Sequence, residues 1–192
     1  GESTRPGALP LSVDEELRRV IPVIDQLSKR VSVPVSIDTY KGSVAEAAID
    51  LGAVIVNDIS GLSYDPSLAS VIAKRGVPVV LMHNRGRSQQ MYREASYQNI
   101  GEEIVAELRI AIDRAVDAGI SREKIVVDPG LGFAKHARQS TVVLADLPCL
   151  SSLDRPILVG ASRKSFLESM LGARSPDNRE WGTAGAVAVA AF

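Results

Sequence analysis

Five short apolar runs punctuate the chain, at residues 33–38, 53–59, 77–83, 124–128 and 155–160. Each is rich in Val and Ile and lacks strict apolar–polar alternation, the pattern of parallel strands covered on both faces. Between them the spacing turns helical. Ser12 with Glu15 reads as a capping box ahead of Leu17, Val20, Ile21, Ile24 and Leu27 on one stripe, with Pro22 as an expected kink. A second helix is predicted over 43–51, ending at Gly52; a third starts at Asp65, with Pro66 in its first turn, and stops at Gly76. The longest is predicted over 99–118, with Ile104, Leu108, Ala111, Ile112 and Ala115 facing inward. A fifth is expected near 140–147 and a sixth from 177–179 onward.

This alternation of strand and helix is the mark of an α/β fold with a parallel sheet. An open doubly wound sheet and a (β/α)8 barrel both fit it. The ends of the runs separate them: Asp38, Asn57 with Asp58, His83 with Asn84, and Asp128, with Ser162 just past the last. In a barrel nearly every strand sends a polar group to one shared mouth, whereas an open sheet gathers its ligand at a switch point. The expectation is therefore a (β/α)8 barrel, and with no repeat or linker in view residues 1–192 read as one domain. Such barrels typically take about 250 residues. The chain opens on a loop-like segment and stops inside the apolar stretch AGAVAVAAF. An incomplete barrel is expected, without its first strand, most of its second and its last, and its unpaired edges should favour aggregation.

Composition narrows the function classes. Hydrophobic residues make up 45% and charged residues 23% of the sequence, which excludes disorder as the main state. Twenty-two basic against 23 acidic side chains leave no broad basic field, so neither a nucleic-acid nor a membrane partner is expected and any anion must be held locally. One cysteine, Cys149, and two histidines, His83 and His136, build neither a disulfide framework nor a zinc spacing. No apolar run approaches the roughly 20 residues that span a bilayer, and the opening residues lack signal-peptide features. A reducing cytoplasm is the expected location.

Several clusters could carry chemistry. Asp38, Asn57 and Asp128 would aim two carboxylates and an amide into one cleft, a set suited to a flat heterocycle with several N–H donors and acceptors; singly, each also serves as a helix cap or turn residue. Residues 128–133, DPGLGF, join a Gly-rich turn to Phe133, which can stack on a ring. In GASRKS, from Gly160, Lys164 or Arg163 can meet a carboxylate, a phosphate or a ring carbonyl beside the Ser162 hydroxyl, although two cations at a helix start oppose its dipole. Thr4 and Arg5 sit in a loop stiffened by Pro6, which suits an anion. His83 reads either as a general base or as a hydrogen-bonded structural group. Residues 84–98 form the longest irregular stretch and are expected to be a mobile loop at the mouth.

Six motifs, GESTRPG, SIDT, VNDI, LMHNRG, DPGLGFAK and GASRKSF, stand in the order found in dihydropteroate synthases, and the whole chain resembles that family. The resemblance implies a cytoplasmic transferase of folate biosynthesis, a sulfonamide target. It would condense 6-hydroxymethyl-7,8-dihydropterin diphosphate with p-aminobenzoate to dihydropteroate and pyrophosphate, with Mg²⁺, as a homodimer in its full-length form. Carried over by motif, Asp38, Asn57, Asp128 and Lys164 line the pterin pocket, with Met82 and Phe133 against the ring. Thr4, Arg5 and Pro6 belong to the loop over the diphosphate and p-aminobenzoate, and Ser162 lies near the latter's carboxylate. Asp38, Arg5 and Lys164 are the implied catalytic residues. The family's metal-binding Asn loop and its Arg-x-His motif are not among these residues. Ala134 stands where the family usually has glycine, and the segment HARQSTVVLADL lacks the family's usual asparagine. Two other readings are a methyltetrahydrofolate:corrinoid methyltransferase domain, which needs neither STRPG nor SRKSF, and an inactive partial barrel.

Overall fold

Four parallel strands lie side by side in chain order: β1 (Ser36–Asp38), β2 (Ile55–Asp58), β3 (Val79–Met82) and β4 (Ile125–Asp128). The computed structural model describes residues 1–93, 95–173 and 175–192. Each strand pairs with the next in sequence, so the order never reverses and no switch point arises, as in an unclosed arc of a (β/α)8 barrel. The run at 155–160 lies beside β4 through a single bridge, Val127 to Ile157, with Val127 N–H on Pro156 O at 2.9 Å and Leu158 N–H on Val127 O at 2.8 Å. It falls short of the expected fifth strand: Pro156 has no N–H to give, and Ile157 and Leu158 stay exposed.

Register sorts the strand side chains into two faces, because directly paired residues of parallel strands point the same way. Asp38 pairs with Asn57, Asn57 with Val80, and Met82 with Asp128, which sets these on the inner face. The alternate residues Ile37, Val56, Val79, Leu81, Ile125 and Val127 face outward and are buried in one core with the helices. A second, smaller apolar cluster of Tyr40, Ile59 and Met82, with Tyr64 and Phe133 against it, occupies the inner side.

The helices are α1 (Val13–Ser28), α2 (Gly42–Asp50), α3 (Pro66–Arg75), α4 (Ile100–Asp117), α5 (Ala137–Ala145), α6 (Glu168–Leu171) and α7 (Glu180–Ala191). The first runs unbroken through Pro22, which lies on its exposed face, where the carbonyl that loses a partner is open to water. Only half of the expected capping box forms. The Ser12 hydroxyl accepts the Glu15 N–H at 3.2 Å, but the Glu15 carboxylate turns to Arg18 and Arg19. Gly76, at φ 63°, closes α3 in the left-handed conformation expected of a C-terminal glycine. Helix α5 begins three residues earlier than 140 because Gln139 caps it, its side chain accepting the His136 N–H at 2.7 Å. A short 3₁₀ turn at Pro176–Asn178 precedes α7.

Candidate functional site

Strand register brings Asp38 and Asn57 side by side at the C-terminal ends of β1 and β2. The walls of the mouth push the Asp38 carboxyl above its ordinary value, with the Asn57 side chain acting in the opposite direction. The Asn57 amide oxygen is buried without a hydrogen-bond partner, an acceptor held ready for a donor. Asp58, one residue on, points the other way. It is fully buried and accepts the N–H groups of Ser60 at 2.8 Å and Leu62 at 2.6 Å, so it builds the turn after β2 rather than the cleft.

Asp128 ends β4 opposite Met82 and receives the Gly130 N–H at 2.7 Å. Burial raises its carboxyl, while Gly130 and the cations Lys164 and Lys135 oppose the shift. Gly130 itself is required by space. A Cβ there would sit 2.0 Å from the His83 carbonyl oxygen, and the backbone has φ 68°. This close approach swings the turn across the strand ends and delivers Phe133 to the inner apolar cluster beside Met82.

Lys164 stands over the Phe133 ring, its Nζ 4.6 Å from the centroid, and donates to Leu131 O at 2.5 Å. Burial pushes its ammonium below the ordinary lysine value, with Asp128 and Asp38 pulling it back. Arg163 also borders the cavity beside Lys164 and has acidic partners of its own. Its guanidinium pairs with Glu180 at 2.8 Å and Asp177 at 3.4 Å, which answers the expected conflict of two adjacent cations at a helix start. A cavity of about 780 Å³ opens here, lined among others by Thr4, Arg5, Pro6, Phe133, Ser162 and Lys164. Phe133 and Lys164 therefore join the strand-end residues to the front loop.

Beneath the turn lies a buried chain that sequence reasoning missed. Lys135, 1% exposed, reaches His83 Nδ1 at 2.8 Å, Phe133 O at 3.0 Å and Gly130 O at 3.1 Å. His83 Nε2 meets Glu107 at 3.1 Å, and Glu107 also accepts from Arg85 Nε at 3.0 Å. Burial disfavours the Glu107 charge, yet His83 and Arg85 outweigh it and hold the carboxyl down to about 2. Burial and the nearby Lys135 charge depress His83 to about 4, and burial brings Lys135 down to about 7 despite the pull of Asp128. His83 is thus a neutral structural tie. Lysine at the end of DPGLGFAK was the one available signal for this chain.

The loop at 84–98 is fastened at several points, and Glu94 within it lies outside the described residues. Arg85 pairs with Glu103 at 2.8 Å, Tyr97 donates to Ala134 O at 2.9 Å, and the Tyr92 ring stacks on His136 at 5.6 Å. Tyr92 also lines the large cavity, a contact that its sequence position did not reveal.

The pterin binding enzyme family profile matches residues 1–192. The chain belongs to the pterin-binding enzyme family. Among pterin-binding enzymes it is similar to the dihydropteroate synthase of Bacillus subtilis, with 44% identity over 187 residues, 97% of this chain and 63% of that protein. The Yersinia pestis dihydropteroate synthase, solved as a sulfonamide drug complex, superposes with a TM-score of 0.95 at 39% identity, covering 100% of this chain and 69% of that one. The Xanthomonas albilineans dihydropteroate synthase with 4-aminobenzoic acid gives a TM-score of 0.93 at 40% identity, covering 100% and 67%. The chain thus spans just under two thirds of the length of its Bacillus subtilis relative.

Proposed function

We propose that this chain supplies the pterin pocket and the front substrate loop of a dihydropteroate synthase, as part of a longer (β/α)8 barrel. The supporting observation is the inner face on which Asp38 and Asn57 pair in register, with Met82 and Asp128 paired beside them. Two carboxylates and an acceptor amide match a pterin's N–H donors, Lys164 can donate to its ring acceptors, and Met82 and Phe133 offer an apolar surface for its ring. Thr4, Arg5 and Ser162 face the adjoining cavity, where a diphosphate and the p-aminobenzoate carboxylate would be held.

Chemistry follows from charge placement. Breaking the C–O bond at the pterin methylene sends the electron pair to the diphosphate and leaves positive charge on the methylene and ring. Asp38, ionised and facing the ring, stabilises that charge, while Arg5 meets the departing diphosphate. The amine nitrogen of p-aminobenzoate then forms the new C–N bond and sheds its proton to solvent. Lys164, over Phe133 and drawn towards Asp128, orients the heterocycle. Holding amine and methylene together supplies much of the rate.

Mg²⁺ belongs to the same reading as counter-charge for the diphosphate. Among the described residues no group of three or more His, Cys, Asp or Glu side chains is gathered as a metal would need, and no step above runs through the ion. The reading also places the complete enzyme in the cytoplasm as a homodimer. No helix among the described residues is long and apolar enough to cross a membrane. Helix α7 exposes Trp181, Val187 and Val189, an apolar surface for the remaining barrel or a second copy to cover.

Competitive titration tests the assignment. The complete protein should bind 6-hydroxymethyl-7,8-dihydropterin diphosphate more tightly than methyltetrahydrofolate, and should also bind p-aminobenzoate. Preference for methyltetrahydrofolate would move the chain to the corrinoid methyltransferase reading.

A further inference from the structure

One carboxylate, that of Glu2, ties together both stems of the segment carrying Thr4 and Arg5. Its Oε2 accepts the Leu11 N–H at 2.8 Å, closing residues 2–11 into a loop immediately ahead of the α1 cap at Ser12. The same carboxylate accepts the Tyr40 hydroxyl at 2.8 Å and the Lys41 ammonium at 2.7 Å. Tyr40 and Lys41 stand two and three residues beyond Asp38, just after β1. Lys41 is bound in turn to Glu16 of α1 at 2.6 Å. The three ionic side chains are 10% exposed or less, so the link is screened little by solvent. At the loop's far side, the Gly7 N–H donates to Ser88 O at 2.9 Å.

We infer that Glu2 is a positioning residue: its carboxylate sets the Thr4–Arg5 loop at a fixed place relative to Asp38, so that the groups handling the two substrates share one anchor. The kinetic part of this inference rests on the synthase reading; the anchoring itself does not. Two carboxylates surround one ammonium. Losing the charge of Glu2 leaves the Lys41–Glu16 pair intact, and losing that of Glu16 leaves the Lys41–Glu2 pair intact. The two substitutions are therefore matched in charge and in their effect on Lys41, but only one releases the loop. Removing Lys41 instead would strand two buried carboxylates and confound loop release with unfolding.

The experiment compares Glu2→Gln, Glu2→Ala and Glu16→Gln in the complete protein. Amide hydrogen exchange is measured for the peptide spanning residues 1–11, and KM is measured separately for p-aminobenzoate and for the pterin diphosphate. Glu2→Ala is expected to speed exchange at Arg5, Gly7 and Ala8 and to raise the KM for p-aminobenzoate on the order of tenfold, with the pterin KM within about threefold of wild type. Glu2→Gln should show the same pattern more weakly, and Glu16→Gln should leave exchange in this loop unchanged. Unaltered exchange in Glu2→Ala, or equal acceleration in Glu16→Gln, overturns the anchor. Faster exchange in a protein whose wild type makes no dihydropteroate upholds the anchor and overturns only the synthase reading.

Discussion

Lys135 Nζ lies 2.8 Å from His83 Nδ1 in a pocket that leaves Lys135 1% exposed. Glu107, ionised, requires a hydrogen on His83 Nε2; Nδ1 is then left as the acceptor that Lys135 faces. Both ends of the chain therefore select the same neutral tautomer.

That tautomer predicts an acid-sensitive step. His83 takes up a proton at about 4 in the folded protein against an ordinary 6.5, so the unfolded state binds more protons between those values and stability falls as pH drops from 6.5 to 4. The loss attributable to His83 is on the order of 3 kcal/mol. Urea unfolding of the complete protein across this window should show a slope that Gln at position 83 reduces by up to about one proton. An unchanged slope would mean that His83 titrates at its ordinary value in the folded protein.

Asp38→Asn keeps the shape and removes the charge facing the ring. Because that charge matters most as the methylene becomes cationic, kcat should fall by about 10²–10³ while pterin affinity changes by less than about tenfold. Steady-state kinetics beside equilibrium titration separates the two.

Lys164 and Arg163 are neighbours with different partners. Lys164→Met removes the cation above Phe133 and should weaken pterin binding or turnover by about 10²-fold. Arg163→Met breaks the links to Glu180 and Asp177 at the cavity wall and should cost turnover less, below about tenfold. Matched kinetics of the two variants checks the distinction.

Ala134 is a non-glycine residue at φ 47°, a backbone conformation that disfavours a Cβ. Ala134→Gly should stabilise the protein by up to about 1 kcal/mol, the relief of strain exceeding the added freedom of the unfolded chain. Gly130→Ala should do the reverse and prevent the turn from docking, because its Cβ would overlap the His83 carbonyl. Thermal unfolding of both variants gives the sign.

Periodicity and strand-end chemistry made most of this architecture legible. Val, Ile and polar termini placed all four strands, and Asp65 with Pro66 and Gly76 marked both ends of α3. Residues 155–160 fail as a strand because ladder formation depends on Pro156 and on neighbours along both sides, which an apolar run does not encode. Asp58 shows the same limit within the site. Adjacent to Asn57 it read as part of the polar mouth, but a period of two sends it to the opposite face. Long-range ties such as Glu2 to Lys41 and Lys135 to His83 join residues far apart in sequence, and only the folded chain brings them together.

The decisive measurement is turnover by the complete protein supplied with 6-hydroxymethyl-7,8-dihydropterin diphosphate, p-aminobenzoate and Mg²⁺, with products identified by mass. Dihydropteroate and pyrophosphate formed in equal amounts, only when p-aminobenzoate is present, is the result expected from Asp38, Asn57 and Asp128 on the inner face. No pyrophosphate release, or release indifferent to p-aminobenzoate, would contradict it.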